Sequence, residues 1–441
     1  LSFPSINAFL FKNIDTIIED FRVSWQQNFE RIPPTNQRRM AVHVKPTAER
    51  ALRGGHPWLF EDGIRKLSFE GAAGDLAVVF DNKDQFLAVG LYDPASPIRV
   101  KVLQHNDPAT INGDWFGAKL QGAVALREPL RGTDTDGYRL VYGESDGLPG
   151  LVVDCYAGTL VMKVYTAAWF PYLREIVGLL LGVQAAERVV LRLSRNVAAG
   201  ETFGLIDGMA LVGDVPEVPV IFWENGLRFA ADVVAGHKTG FFFDQRENRA
   251  RVGALSAGAD VLDVFAYAGG FSLYAARGGA KRVVSVDISG PALATARENF
   301  VLNVDNPKVA AARHETVVGD AFEVLREMGR RRQRFDVVVI DPPSFAKREV
   351  EVEGALRSYA QLAELGAAVT RDGGEIVLAS CSSRVRPDVF YDTITRSVGR
   401  TLTNIRKHGH ALDHPVRFPE GEYLKCLYAK VGTLFVGHDQ Q

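Results

Sequence analysis

Four aspartates and one cysteine stand at or beside points where apolar runs give way to polar turns. They are Asp263 in "VLDVFAYAGGFSL", Asp287 in "RVVSVD", Asp320 in "ETVVGDAF", Asp341 in "VVVIDPPSF" and Cys381 in "GEIVLASC". Asp287 lies 18 residues beyond Gly269, where a carboxylate can accept hydrogen bonds from both ribose hydroxyls of an adenosine. Asp320 stands where the amino group of an adenine needs an acceptor. Pro342 and Pro343 stiffen the chain after Asp341 and leave carbonyls that can face a flat base. The thiolate of Cys381 would be a nucleophile.

These positions need a sheet whose strands all run out at one edge. From Ile221 onward, strand runs alternate with helical runs such as "SGPALATARENFVLN" and "GALRSYAQLAELGAAV", the pattern of a parallel α/β sheet. In such sheets ligands bind beyond the carboxyl ends of the strands. The first strand–helix turn carries Phe265, Ala266, Tyr267, Gly269 and Gly270, and glycines there let a ligand approach the backbone and a helix start. Ile288 follows Asp287, and Ala321 and Phe322 follow Asp320, so these join the candidate cofactor-binding residues. Dinucleotide dehydrogenases and S-adenosylmethionine (SAM) enzymes share this layout, but the absence of GxGxxG weakens the dinucleotide reading.

The rest of the chain is arranged in three further parts. Residues 39–107 read as short strands and turns, a small β-barrel. Residues 113–220 read as a mixed α+β unit, and the α/β domain occupies 221–436. Residues 1–38 close on Pro33–Pro34 ahead of Met40 and resemble neither a signal nor a transit peptide, so they are read as a leader or extension. Residues 38–66 hold seven basic against three acidic side chains, although the whole chain carries −2. Within that surplus, Arg39, Lys45 and Arg53 are candidate phosphate contacts. The three cysteines are far apart and lack metal spacing, which points to a reducing compartment, a soluble cytoplasmic protein and no metal site. No apolar run approaches a membrane span, and a homodimer is left open. Cys155 and Cys426 alternate with apolar neighbours and read as core thiols.

With these motifs in view, residues 41–436 resemble the family of SAM-dependent 23S rRNA cytosine-5 methyltransferases that carry an N-terminal PUA domain. The matching stretches are "VHVKPTAERALRGGHPWLFEDGI", "HKTGFFFDQRENR", "DPPSF", "SCSS" and "DHPVRFPEGEYLKCLYAKV". The resemblance implies a PUA domain, a small middle domain, a Rossmann-like SAM domain and large-subunit rRNA as substrate. It also suggests that Thr239, Gly240, Phe242 and Gln245 border the cofactor or base pocket, with Lys238, Arg246 and Arg249 beside them. Arg246, Pro342, Pro343, Ser344 and Phe345 are the substrate-binding candidates from this part of the chain.

Such chemistry gives Cys381 a purpose. Carbon-5 of cytosine is too electron-poor to take a methyl group directly; a thiolate added at carbon-6 makes an enamine and renders carbon-5 nucleophilic. Asp341 would then stabilise the protonated adduct near the ring nitrogen. A neighbouring cation such as Lys347 or Arg384 would favour the thiolate, and the sequence does not place either of them. Many RNA cytosine-5 methyltransferases carry a second cysteine where this chain has Ser344, which leaves the eliminating group unassigned. Two rivals stand: methylation of a purine nitrogen, which needs no thiol, and an RNA-binding module with a vestigial SAM fold.

Overall fold

A computed structural model of the 441-residue chain describes residues 38–434 together with Glu30, Ile32 and Pro34. Most of the expected leader lies outside the described residues; Ile32 is buried among apolar side chains of the first unit. The chain forms two compact units. The first holds the residues up to Gly226 with Ala231–Phe243 and Leu412–Phe418, and the second holds Leu227–Ala230, Asp244–Ala411 and the stretch from Pro419.

The first unit opens with six strands, β1 (Arg39–Val44), β2 (Trp58–Phe60), β3 (Ile64–Leu67), β4 (Leu76–Phe80), β5 (Phe86–Tyr92) and β6 (Ile98–His105), ordered β2-β6-β5-β4-β1-β3. One helix, α1 (Pro46–Arg53), follows β1. Irregularities at His43/Val44, Leu59/Phe60, Val79/Phe80 and Val89/Gly90 curl the strands, as bulges do. Met40, Val42, Val79 and Val100 fill the interior.

Its second part pairs α2 (Gly113–Arg127) and α3 (Leu173–Val183) with β7 (Gly137–Tyr142), β8 (Leu151–Tyr156), β9 (Thr159–Val164), β10 (Arg188–Leu193) and β11 (Ala210–Val212). The sheet order is β11-β10-β9-β8-β7. Trp169, Phe116 and Phe170 are fully buried there. So is Arg127, whose guanidinium donates to both oxygens of Asp146 at 2.9 and 2.7 Å and to the Asp413 carbonyl at 3.0 Å. A charge buried this deeply is tolerated because each donor is matched.

The second unit begins with α4 (Arg246–Leu255) and then alternates: β12 (Asp260–Val264), α5 (Gly270–Gly278), β13 (Arg282–Asp287), α6 (Gly290–Leu302), β14 (Arg313–Val318), α7 (Ala321–Arg330), β15 (Phe335–Ile340), α8 (Val352–Val369) and β16 (Thr370–Ser380). After α9 (Pro387–Ser397) come β17 (Arg400–His408) and β18 (Lys425–Leu434). The sheet order is β14-β13-β12-β15-β16-β18-β17; neighbours are parallel from β14 to β16, and β18 is antiparallel to both its neighbours. Helices cover the sheet, so the central strands are apolar almost throughout, with Val261, Leu262, Val338, Val339, Ile376 and Val377 all buried. The five expected parallel strands are present. β17 was not expected, because it is a polar edge strand with mostly exposed side chains and no apolar alternation to betray it. Among the described residues no helix is long and apolar enough to cross a membrane.

Candidate active site at the strand ends

The turn from β12 into α5 is tight and partly strained. Phe265 and Tyr267 take left-handed backbone angles (φ 64° and 48°), which side chains other than glycine seldom adopt. Gly269 is left-handed too (φ 74°), and a Cβ there would lie 2.8 Å from the Ala296 side chain, so no larger residue fits. Asp287, at the end of β13, holds this turn from outside. One of its oxygens accepts the Tyr267 N–H at 2.9 Å and the other the Ser289 N–H at 2.8 Å. Each oxygen keeps a second lone pair, so a ribose diol can still be bound. Asp320 caps α7 through one oxygen, accepting from Phe322 and Glu323 N–H, and leaves its other oxygen on an exposed rim. Ile288 is 73% exposed beside Asp287, the kind of apolar surface that an adenine would cover. A backbone that approaches closely, two carboxylates with free acceptors and an open apolar side chain fit an adenosyl cofactor.

Asp263 plays a different part from these two. It is fully buried beneath the turn, and one oxygen accepts both the Ser272 N–H (3.0 Å) and hydroxyl (2.6 Å). Its other oxygen has no hydrogen-bond partner among the described residues. Burial pushes its pKa up to about 6 against the pull of Ser272. From Ser272 the network continues to the Ser285 hydroxyl (2.6 Å) and on to His314 Nε2 (2.8 Å). Asp263 thus braces the start of α5.

The other half of the rim gathers the reactive groups. Cys381, directly after β16, is half-buried with its sulfur 3.9 Å from the Pro342 carbonyl oxygen. The two loops are stitched together by serines: Ser344 Oγ and Ser382 Oγ are 3.2 Å apart, and each donates to the Ala346 carbonyl. Ser344, the residue in place of a second cysteine, is therefore part of this clasp. Phe345 packs against Tyr359, whose hydroxyl accepts from Ser380. Pro342 is buried, whereas Pro343 is exposed. The Asp341 carboxyl is pushed up to about 7, first by burial and then by the neighbouring Asp244; Gln245 and Arg249 pull the other way. Gln245 is 3% exposed, and its oxygen accepts from Asn248 at 2.6 Å. Asp244 itself accepts from the Tyr423 hydroxyl at 2.8 Å.

A cation whose charge interacts with Cys381 is Lys425, which was not singled out in the sequence. Lys347 and Arg384, the two close along the chain, are both exposed. Lys425 opens β18, and the antiparallel register sets it opposite Ser380, the residue before the cysteine. It is 1% exposed, and its ammonium donates to the carbonyls of Ser382 (2.5 Å) and Val385 (3.0 Å). Burial draws its pKa down to about 8, while the attraction of Cys381 acts in the opposite direction. The other thiols are inert by comparison. Cys155 and Cys426 are buried, and burial pushes the Cys155 thiol up to about 12 and that of Cys426 further.

The remaining candidates are dispersed. Arg246 is 1% exposed at the start of α4, and Arg249 is buried one turn later. Thr239 is buried in the first unit, where it donates to Asp154, and the ammonium of Lys238 lies 4.6 Å from the Phe242 ring. Gly240 is left-handed with φ 131°. In the basic segment Arg39 and Lys45 are exposed, but Arg53 is committed to Glu49 at 3.0 Å and Asp81 at 2.7 Å.

A sheet of this order, with open carboxylates along one half of its rim and a thiol on the other, fits a SAM-dependent methyltransferase. Residues 210–430 match the family described as S-adenosylmethionine-dependent methyltransferase, and residues 42–105 match the PUA-like domain. A protein of Deinococcus radiodurans named ribosomal RNA large subunit methyltransferase is 48% identical over 90% of this chain and 99% of its own. One of Shewanella amazonensis named ribosomal RNA large subunit methyltransferase I is 37% identical over 88% and 99%. In fold, the chain is similar to a SAM-dependent methyltransferase from Streptococcus mutans (TM-score 0.74, 23% identity, 89% of this chain and 100% of that one). A second structure with the same scores is a methyltransferase solved with SAH. This chain belongs to the PUA-containing, SAM-dependent methyltransferase family whose members include ribosomal RNA large subunit methyltransferase I.

Proposed function

We propose that the protein methylates carbon-5 of a cytosine in large-subunit rRNA, with Cys381 as nucleophile. The names of its relatives support the rRNA substrate. The observation that carries the chemistry is the sulfur of Cys381 against the Asp341–Pro342–Pro343 turn, with the buried ammonium of Lys425 behind it. A buried positive charge beside a thiol favours its ionised form. The thiolate adds to carbon-6, forming a C–S bond; the C5=C6 electrons shift to form C4=C5, and the C4=N3 electrons take a proton at N3, which gives the enamine. Asp341, raised to about 7, keeps a proton to give near neutral pH, where an ordinary carboxylic acid would have lost it. Bound SAM supplies an electrophilic methyl group. Carbon-5 would take that methyl, leaving S-adenosylhomocysteine. A base then removes the carbon-5 proton, the C–S bond breaks to release the Cys381 thiolate as C5=C6 re-forms, and the ring nitrogen gives its proton back to Asp341.

Retention of an adduct tests this reading. Fluorine at carbon-5 cannot leave as a proton, so rRNA carrying 5-fluorocytosine should trap a SAM-dependent, denaturation-resistant complex. Peptide mapping is expected to find the adduct on Cys381. Cys381→Ala should neither trap nor methylate, while Cys155→Ala should still trap. An active Cys381→Ala protein without an adduct would instead favour methylation of a purine nitrogen.

A further inference from the structure

The first unit contains a polar cavity of about 420 Å³ whose lining shares no residue with the site described above. Its volume is in the range of small-molecule pockets, roughly 300–1,000 Å³. Five separate stretches build it, two of them (Gly55 with Pro57, and Val102–His105) from the β1–β6 part, and the other three bring most of the charge. Helix α2 contributes Lys119, the turn Gly143–Asp146 contributes Glu144 and Ser145, and the Leu412–Phe418 segment contributes Arg417.

The charges in this cavity are unbalanced in a specific way. Lys119 lies over the left-handed Gly147, where a Cβ would be only 3.4 Å from its ammonium, and 4.9 Å from the Trp115 ring. Neither Lys119 nor Arg417 has an ion-pair partner among the described residues. Of the acids lining the cavity, Asp146 has both oxygens bound by Arg127, whereas Glu144 accepts from the neutral Trp58 indole at 2.9 Å and keeps its charge. Lys119 is held below its usual pKa, first by burial and then by Arg417. With the Asp146 charge matched by Arg127, two cations share the cavity with one acid, Glu144, which leaves a surplus positive charge that an anion would balance. The Ser145 hydroxyl is the second, independent sign. It is 1% exposed, lines this cavity and has no hydrogen-bond partner among the described residues, an uncommon state for a buried polar group.

We infer that this cavity binds a phosphodiester of the RNA substrate, with Lys119 and Arg417 supplying the charge and the Ser145 hydroxyl a hydrogen bond. The inference rests on the reading of rRNA as substrate. Neutralising one phosphate-binding cation should lower the slope of log affinity against log salt by about 0.7–0.9.

The test uses the full chain and deproteinised large-subunit rRNA, titrated across a range of salt. Lys119→Gln combined with Arg417→Gln is expected to lower rRNA affinity about tenfold and the slope by roughly one to two. SAM affinity and melting temperature should stay at wild-type values. Lys119→Arg with Arg417→Lys keeps both charges and should keep the slope. Ser145→Ala should weaken rRNA binding severalfold without changing the slope. An unchanged slope and affinity in the Gln variant, with wild-type protein binding rRNA normally, would overturn this site alone. So would a Gln variant that loses only the binding of inorganic phosphate. Wild-type protein that does not bind rRNA at all would overturn the substrate reading together with the site.

Discussion

The two sides of the second unit's sheet treat carboxylates in opposite ways. On the β13–β14 side, Asp287 and Asp320 accept hydrogen bonds from backbone N–H groups, and both reach the rim. On the β15–β18 side, burial and the like charge of Asp244 work against ionisation of Asp341, and Lys425 is buried with no carboxylate close enough to pair among the described residues. The first arrangement suits holding a ligand, because nothing need change when it binds. The second suits reaction, because protons there are poised to move near neutral pH. Asp263 sits at the junction, shaped like the first group in its hydrogen bonds to Ser272 and like the second in its raised pKa.

The sharpest way to break this contrast is Asp341→Asn. The variant keeps the shape but cannot give up a proton, and proton transfer by a positioned acid contributes about 10²–10⁴ in rate. Turnover should fall by that amount while SAM affinity stays within about twofold. The activity loss that accompanies ionisation around pH 7 should also disappear from the pH–rate profile. Wild-type turnover in this variant would remove Asp341 from the reactive group.

Asp263 sharpens the comparison through stability. Its folded pKa of about 6 lies above the ordinary 3.8, so the folded state holds the proton more tightly. The stabilisation is complete below about pH 3.8 and is lost as pH rises through 6, a change of roughly 3 kcal/mol. Asp263→Asn carries no such proton. Unfolding of both proteins, compared at pH 4.5 and pH 7, should therefore show the difference between them moving in favour of the variant as pH rises. A constant difference would mean that Asp263 is not perturbed.

The smallest effect belongs to the holding side. Asp287→Ala removes acceptors for the ribose hydroxyls and the braces on Tyr267 and Ser289, and a charge-assisted hydrogen bond contributes about 1.5–3 kcal/mol. SAM affinity measured by calorimetry should fall at least about tenfold, with turnover at saturating SAM changed little. A large fall in saturated turnover would show that the two sides are not separable.

Much of this site could be read along the chain, and the reason is local. Strand ends are marked where an apolar run stops, so Asp287, Asp320, Asp341 and Cys381 announce their edge in the sequence itself. The Gly269 turn was legible for the same reason, since its conformation is set by the absence of a side chain at one residue. Cys155 and Cys426 could be set aside as core thiols from their apolar neighbours, and both are buried.

What the tertiary structure alone decided is which distant groups became neighbours. Lys425 is 44 residues beyond Cys381, and no periodicity links them; only the antiparallel pairing of β18 with β16 brings its ammonium to the carbonyl of Ser382. Chain proximity favoured Lys347 and Arg384, which solvent retains. The raised pKa of Asp341 likewise depends on Asp244, 97 residues earlier. Residue type determines which protons and charges are available, and the sequence by itself supplied those. Their pKa values and partners depend on burial and on the field of residues remote in the chain, and these exist only once the sheet has assembled.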